Sequence, residues 1–156
     1  MPQRKVTRKV THATFAIERN YDVPPAKVFA AFASLEAKQK WFAGPDEWQQ
    51  GKRTMDFRVG GKEHLSGGPK GQPPHHFDAL YQDIVPDERI VYTYDMHIGD
   101  NRISVSLATI EFKKAGKGTR MVFTEQGAFL DDFDNPKLRE DGTRQLLEQL
   151  AKVLKS

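Results

Sequence analysis

The sequence predicts an α+β domain in which a curved antiparallel sheet of seven strands wraps around one long C-terminal helix. Three patterns carry this prediction. Apolar and polar residues alternate in one segment near the N-terminus and in six segments beyond residue 52, as in half-buried strands. Two short helical patterns separate the first segment from the others, and the last twenty or so residues carry an apolar stripe at helical spacing. We expect an apolar pocket between sheet and helix.

Length and composition limit the class of protein. A chain of 156 residues suits a single core, since a domain of that size removes roughly 70% of its unfolded surface from water. The absence of cysteine excludes disulfides, thiolate zinc sites and a thiol nucleophile, and it suits a cytoplasmic location. No apolar run approaches the length of a membrane span, and no secretory signal is recognisable.

Basic residues are concentrated at the N-terminus. Arg4, Lys5, Arg8 and Lys9 lie in the first ten positions, and the other 20 of the 24 basic residues are balanced by 21 acidic ones. A nearly neutral body argues against nucleic acid as a partner. We therefore predict a flexible basic tail over residues 1–12 and a single domain over residues 13–156.

The first strand and the two short helices follow this tail. The strand shows period-two alternation, with Phe15, Ile17, Arg19 and Tyr21 on one face. Pro25 suits the first turn of a helix, which continues through Val28, Phe29 and Phe32. Ser34 is placed to cap the second helix, which runs through Leu35, Lys38, Trp41 and Phe42 and ends at Gly44-Pro45.

Six further strands are predicted between residues 53 and 126. Met55, Phe57 and Val59 alternate with polar residues, and Gly60-Gly61 predicts a tight hairpin into residues 62–66. Residues 67–74 predict an exposed loop. The remaining strands are expected at residues 75–85, 89–97, 102–113 and 119–126. Because Leu107 and Ile110 break the alternation, we expect a bulge or bend there, which would sharpen the curvature of the sheet.

The long helix is expected over residues 135–155. Leu138, Gly142, Leu146, Leu147, Leu150, Val153 and Leu154 form its apolar stripe. Glycine inside a helix costs about 0.8 to 1 kcal/mol relative to alanine. We therefore expect close packing or pocket space at Gly142.

Several segments in this order resemble the family of homologues of the activator of Hsp90 ATPase. They are YDVPPAKVF at residues 21–29, WFAGP at 41–45, DFRVGG at 56–61, YQDIVPDERIVY at 81–92 and GTR at 118–120. That family belongs to the SRPBCC superfamily of START-like, or polyketide cyclase-like, domains. The resemblance covers about residues 13–155 and implies the helix-grip fold.

What the resemblance implies for function is broad. Family members include presumed small-molecule binders and stress-related proteins, and the superfamily adds lipid carriers and polyketide cyclases, so fold alone does not choose among them. The eukaryotic Hsp90 co-chaperone carries a separate N-terminal domain for which residues 1–12 are too short, so an Hsp90 interaction is not supported. The family usually has tryptophan after the glycine of the last helix, whereas this chain has Thr143.

The expected ligand-binding residues come from the inward-facing sets. They are Arg19, Trp41, Met55, Phe57, Tyr92, Tyr94, Met96, Leu146 and Leu150. The competing interpretation is that the apolar members only fill the core. Arg19, on the apolar face of its strand, should bind an acidic ligand group or pair with a carboxylate such as Glu125. Tyr92 and Tyr94 offer hydroxyls that could orient a ligand or donate a proton.

Metal and covalent chemistry find less support in the sequence. His64, His75, His76 and His97 show no recognised ligand spacing, and His75 and His76 should point to opposite faces. His64 or His97 with Asp95 could act in acid–base catalysis if they faced the pocket. No nucleophile elbow or phosphate-binding loop is found. We therefore predict no metal and no cofactor.

These observations favour a non-catalytic binder of a small hydrophobic molecule, with an acidic or hydroxyl group on the ligand as one option. The first alternative is a cyclase, dehydratase or hydrolase-like enzyme that uses a pocket tyrosine, histidine or carboxylate. The second is a chaperone-associated protein-interaction module. The sequence does not decide whether the protein forms a homodimer.

Overall fold

A computed structural model describes residues 8–155, which form one antiparallel sheet and three helices. The elements are β1 (Val10–Tyr21), α1 (Pro25–Ala30), α2 (Leu35–Lys38), β2 (Gln49–Met55), β3 (Lys62–Gly68), β4 (His75–Val85), β5 (Arg89–Ile98), β6 (Asn101–Ala115), β7 (Gly118–Leu130) and α3 (Pro136–Leu154). The strand order is β1-β7-β6-β5-β4-β3-β2. The predicted helix-grip fold, a curved seven-stranded sheet around a long terminal helix, is confirmed.

β1 begins earlier than the predicted domain boundary at residue 13. It pairs with β7 from Val10, opposite Leu130, to Tyr21, opposite Thr119. The segment just before it is also held, because the Lys9 backbone N–H donates to the Asp131 carboxylate at 2.9 Å. Residues 8–12 are therefore part of the domain, and residues 1–7 of the predicted tail lie outside the described residues.

The two short helices begin where the sequence predicts. Pro25 opens α1, and the Ser34 side chain caps α2 by accepting a hydrogen bond from the Ala37 N–H at 3.1 Å. At the other end of the chain, Asn135 caps α3 by accepting from the Lys137 N–H at 2.8 Å. Each cap satisfies a backbone donor that has no partner inside its helix.

The β2–β3 connection differs from the predicted two-residue hairpin. β2 ends at Met55, and residues 56–61 form a longer turn in which the Gly61 N–H donates to the Arg58 carbonyl at 2.8 Å. A Cβ at Gly61 would lie 2.0 Å from the Asp56 carbonyl oxygen, so the backbone of this longer turn passes too close to Gly61 for a side chain there. At the far end, Gly67 and Gly68, predicted as loop, extend β3 and pair with β2, and a Cβ at Gly67 would lie 3.0 Å from the Gln49 carbonyl oxygen.

The predicted bulge between Leu107 and Ile110 is wrong. β6 pairs in continuous register through that region, and the β5–β6 register shifts instead between Met96 and His97, which skips Ile103. The inner face of β6 carries the small polar residues Ser104 and Ser106 alongside Ala108 and Ile110. The prediction failed because it counted only apolar residues as inward-facing.

α3 lies against the inner face of the sheet. Leu147 and Leu150 are fully buried in a core shared with Ile17, Ile110 and Met121 of the sheet. The Tyr21 hydroxyl of β1 donates to the Leu147 carbonyl at 3.5 Å. Among residues 8–155, no helix is both long enough and apolar enough to span a membrane.

Candidate functional site

A cavity of about 690 Å³ lies between the inner face of the sheet and α3. Strands β3 to β7 supply one side, α3 supplies the other, and the segment from Lys40 to Gln50 closes one end. The walls are mainly aromatic and aliphatic, including Phe42, Leu65, Phe77 and Phe123. This volume lies within the range of small-molecule sites in proteins.

Five of the nine predicted ligand-binding residues line this cavity. Alternation along β5 turns Tyr92, Tyr94 and Met96 inward, and α3 adds Leu146. Trp41 lies deeper, with its indole N–H donating to the Ala31 carbonyl at 2.9 Å. Core packing and cavity lining are therefore not exclusive roles for these side chains.

Three predicted residues belong to the core and not to the cavity. Phe57 packs edge-on against Phe29 and Tyr81, with ring centroids 5.7 and 5.0 Å apart. Met55 packs against the same core, and Leu150 is fully buried beneath the helix. Strand alternation and helical spacing identify the inward face of an element but not how far each residue lies from the cavity. For this reason the prediction of these three residues as ligand-binding residues is corrected.

Arg19 is also not part of the cavity lining. Its Nε lies 3.6 Å from the Glu148 carboxylate on α3, and its side chain is 25% exposed. The pairing with a carboxylate was expected, but the partner is Glu148 and not Glu125. The ion pair joins β1 to α3 away from the site.

Gly142 and Thr143 shape the helical wall. A Cβ added at Gly142 would meet no atom within 4 Å, so this glycine leaves open space inside the cavity. The buried Thr143 donates its hydroxyl hydrogen to the Arg139 carbonyl at 3.0 Å and also lines the cavity. Of the two expectations for Gly142, the structure shows pocket space and not close packing.

One end of the cavity is polar and centres on Arg139 of α3. Its guanidinium donates to the Tyr94 hydroxyl at 3.0 Å, to Ser104 Oγ at 2.9 Å and to the Asp134 carboxylate at 2.7 Å. The side chain is 11% exposed. Arg139 therefore connects the helix to β5 and β6, and Asp134 compensates its charge.

Glu125 of β7 lies beside this arginine. Its carboxyl lies close enough to the Tyr94 hydroxyl to interact with it, while its buried Oε2 has no hydrogen-bond partner among the described residues. Burial raises the pKa of Glu125, and the nearby Arg139 only partly opposes that rise. Burial also raises the pKa of Tyr94, so its hydroxyl stays neutral.

A buried ion pair lies next to Phe42, one of the aromatic residues that line the cavity. The Lys38 ammonium lies 2.8 Å from the Glu63 carboxylate, which also accepts a hydrogen bond from the Tyr81 hydroxyl. The same ammonium lies 4.5 Å from the centroid of the Phe42 ring. Burial lowers the pKa of Lys38, and Glu63 opposes that fall.

The histidines divide between the two faces of the sheet, as predicted for His75 and His76. His75 lines the cavity, and desolvation lowers its pKa. His64 lies on the outer face, where its Nδ1 is 2.6 Å from the Asp78 carboxylate. His97 shares that face with Asp95, so neither histidine proposed for acid–base work faces the pocket.

Sequence reasoning missed the residues of the polar end. Arg139 and Asp134 were not among the predicted site residues, and Glu125 was considered only as a partner for Arg19. Glu125 shares the inward parity of Met121 and Phe123, which was an available signal. For Lys38, the signal was its position on the apolar stripe of the second helix.

The comparisons with known proteins identify relatives over nearly the whole chain. The family model described as "Activator of Hsp90 ATPase homolog 1-like protein" matches residues 22–155. The crystal structure of the Mll3558 protein from Rhizobium loti is 47% identical, with a TM-score of 0.87, covering 93% of this chain and 99% of the other. An uncharacterized protein from Rhizobium leguminosarum is 44% identical, with a TM-score of 0.90 and coverages of 96% and 98%.

A more distant structure has the same fold. Protein CV1439 from Chromobacterium violaceum is 27% identical, with a TM-score of 0.78, covering 92% of this chain and 97% of its own. The comparison with curated proteins yields no match.

Proposed function

Because this chain belongs to the family of activator of Hsp90 ATPase homolog 1-like proteins, we propose that it binds a small, largely apolar molecule in the cavity between sheet and helix. The ligand carries a neutral hydroxyl group, which reaches the polar end at Glu125 and Arg139. The single observation that carries this proposal is the unpartnered, buried Oε2 of Glu125 in the wall of a mainly apolar cavity.

The apolar walls account for the body of the ligand. Aromatic side chains from β4 and β5, namely Phe77, Tyr92 and Tyr94, adjoin aliphatic ones from α3 such as Leu146. Burying apolar ligand surface against them contributes roughly 25 cal/mol per Å² before the costs of association. A flat aromatic or polycyclic body suits a wall built largely of rings.

The polar end accounts for the hydroxyl. A buried oxygen without a hydrogen-bond partner is costly, so a ligand donor at Glu125 Oε2 would recover that cost. A guanidinium has five N–H donors, and three of those of Arg139 are already used. A hydroxyl can donate to Glu125 and accept from a remaining N–H of Arg139.

Charge favours a hydroxyl over a carboxylate on the ligand. Asp134 already lies 2.7 Å from Arg139, and Arg139 also interacts electrostatically with the carboxyl of Glu125. A ligand carboxylate would bring a third acidic group to one buried arginine, and like charges at short distance repel strongly in a poorly solvated site. A neutral ligand avoids this repulsion.

Intrinsic fluorescence offers a direct test, because both tryptophans of the chain, Trp41 and Trp48, line the cavity. We would titrate the protein with 2-naphthol and with 2-naphthoate, which share one ring system and differ in the polar group. We expect 2-naphthol to change the fluorescence saturably and to raise the melting temperature, and 2-naphthoate to bind more weakly.

A wider screen would use lipids, flavonoid-like aromatics and polyketides with the same two readouts. If no compound in either set changes the fluorescence or the melting temperature, the binding proposal is wrong. Tighter binding of the naphthoate would keep the cavity as a ligand site but contradict the proposed hydroxyl.

Glu125 also favours a second candidate function, an enzyme that uses this carboxyl as a general acid. A buried carboxyl with a raised pKa beside a tyrosine hydroxyl is suited to proton transfer at a pocket wall. Mass spectrometry of bound compounds after incubation separates the two functions. Turnover that is lost in Glu125→Gln while binding persists would support the enzyme, and unchanged ligand would support the binder.

A further inference from the structure

The outer face of the sheet, opposite the cavity, carries a compact group of imidazole and carboxylate side chains. Asp78 of β4 and Asp95 and His97 of β5 each offer a ligand atom, and these three atoms all lie within 4.8 Å of one another. His64 of β3 adjoins them, with its Nδ1 at 2.6 Å from Asp78 Oδ1. We refer to these four residues as the outer cluster.

Strand register brings two carboxylates directly opposite each other in this cluster. Asp78 pairs with Asp95 across β4 and β5, and His64 faces Asp78 from the other side. Like charges directly opposite in an antiparallel pair destabilise the sheet. Among the described residues, Asp78 has no lysine or arginine within ion-pair distance, and its partner there is His64. Of the two facing acids, Asp95 has a basic partner in Arg102, whereas Asp78 has none of that kind within residues 8–155.

We propose that the outer cluster binds one divalent transition-metal ion of the Zn²⁺ type. Asp78, Asp95 and His97 supply the ligand atoms, and His64 orients the Asp78 carboxylate through its hydrogen bond. Mixed imidazole and carboxylate ligands suit Zn²⁺ and its neighbours better than Ca²⁺ or Mg²⁺. Hydrogen bonds to ligating carboxylates commonly fix their orientation in metal sites.

The geometry requires only small side-chain movements. Zinc bonds to nitrogen and carboxylate oxygen of about 2.0 to 2.2 Å place tetrahedral ligand atoms about 3.4 Å apart. The cluster atoms are already within 4.8 Å, and its side chains are partly exposed and not locked in the core. Three protein ligands leave a fourth position for water.

Arg102 of β6 is the competitor for this site. Its guanidinium lies 3.2 Å from the Asp95 carboxylate, and its side chain is 56% exposed. A metal ion would displace it from Asp95 into solvent at little cost, because exposed ion pairs contribute about 1 kcal/mol or less. The metal would also join β4 to β5, whose inner residues Phe77 and Tyr94 line the cavity.

Calorimetric titration with zinc chloride tests the site on the full chain, prepared without a histidine tag and treated with a chelator. We expect one Zn²⁺ per chain, and a loss of affinity of about tenfold or more in His97→Ala and in Asp78→Asn. His12→Ala is the matched control, because His12 is an exposed histidine of β1 outside the cluster. Circular dichroism checks that each variant is folded.

A second pair of variants tests the competition by arginine. Arg102→Ala should bind Zn²⁺ several-fold more tightly, whereas Arg89→Ala, which breaks the separate pair with Asp83, should not. The proposal is overturned if millimolar zinc gives no heat of binding. It is equally overturned if His97→Ala and His12→Ala bind alike, which would indicate scattered surface histidines, or if Arg102→Ala and Arg89→Ala change the affinity equally.

Discussion

The guanidinium of Arg139 on α3 donates to the hydroxyl of Tyr94 on β5 at 3.0 Å, and this bond joins the helix to the sheet at the polar end of the cavity. Tyr94→Phe removes the hydroxyl from between Arg139 and Glu125. Because the buried Arg139 would lose a hydrogen-bond partner and Glu125 a polar neighbour, we expect a loss of about 1 to 3 kcal/mol in the free energy of unfolding.

Urea denaturation measures this loss, and Arg144→Ala on the same helix serves as the control. Arg144 pairs with Glu140 one turn earlier and is 41% exposed, so its removal should cost about 0.5 kcal/mol or less. A Tyr94→Phe variant as stable as Arg144→Ala would show that the Arg139 network does not hold helix to sheet.

The buried pair of Lys38 and Glu63 should show strong coupling. Lys38→Met leaves the Glu63 carboxylate buried without a cation, which we expect to cost about 3 to 5 kcal/mol. In the double variant Lys38→Met/Glu63→Gln the charge is gone and Tyr81 keeps an acceptor, so most of the loss should be recovered. A double-mutant cycle by denaturation measures the coupling, and additive losses would contradict it.

Glu125 should make stability depend on pH in a defined direction. Burial raises its pKa in the folded state, so the folded protein binds the proton more tightly than the unfolded chain. The contribution to stability is present below the ordinary glutamate pKa and is lost as pH rises through the raised one. Glu125→Gln should therefore gain stability relative to the wild type as pH rises.

The stability difference between wild type and Glu125→Gln, measured across a pH series, isolates this group because all other carboxyls titrate in both proteins. We expect the difference to grow above the ordinary glutamate range and then to level off. A difference that is constant with pH, or that shrinks as pH rises, would show that Glu125 does not have a raised pKa.

Gly142 should tolerate a methyl group. Gly142→Ala adds a Cβ where no atom lies within 4 Å and improves helix propensity, so we expect a gain of up to about 1 kcal/mol in the free energy of unfolding. Gly127→Ala is the contrasting variant, because its Cβ would lie 2.9 Å from the Phe129 ring. A loss of stability in Gly142→Ala would mean that the cavity is closed at this point.

Periodicity predicted the fold because one face of each strand or helix packs against the core, and the spacing of apolar residues identifies that face. The alternation of Tyr92, Tyr94 and Met96 placed all three on the cavity side of β5, and Ser34 and Pro25 marked helix starts that the structure confirms. These are local signals, which depend on the backbone period and on the missing partners at helix ends.

The rest of the site depends on contacts between residues far apart in sequence, which periodicity does not encode. Arg139 meets Tyr94 and Ser104 only when α3 crosses the sheet, and Lys38 meets Glu63 only when α2 packs on β3. The same limitation explains why Arg19 was assigned to the site. Periodicity placed it on the inward face of β1, but it did not encode the ion pair with Glu148 of α3.

Binding of 2-naphthol to Gly142→Phe tests the central claim most directly. The phenylalanine Cβ would enter open space, and its ring would occupy part of the cavity, so we expect the variant to fold. Calorimetry on wild type, Gly142→Ala and Gly142→Phe compares binding, and urea denaturation checks that each variant is folded. We expect the wild type to bind 2-naphthol and Gly142→Phe not to bind it. Equal binding by the wild type and a folded Gly142→Phe would contradict it.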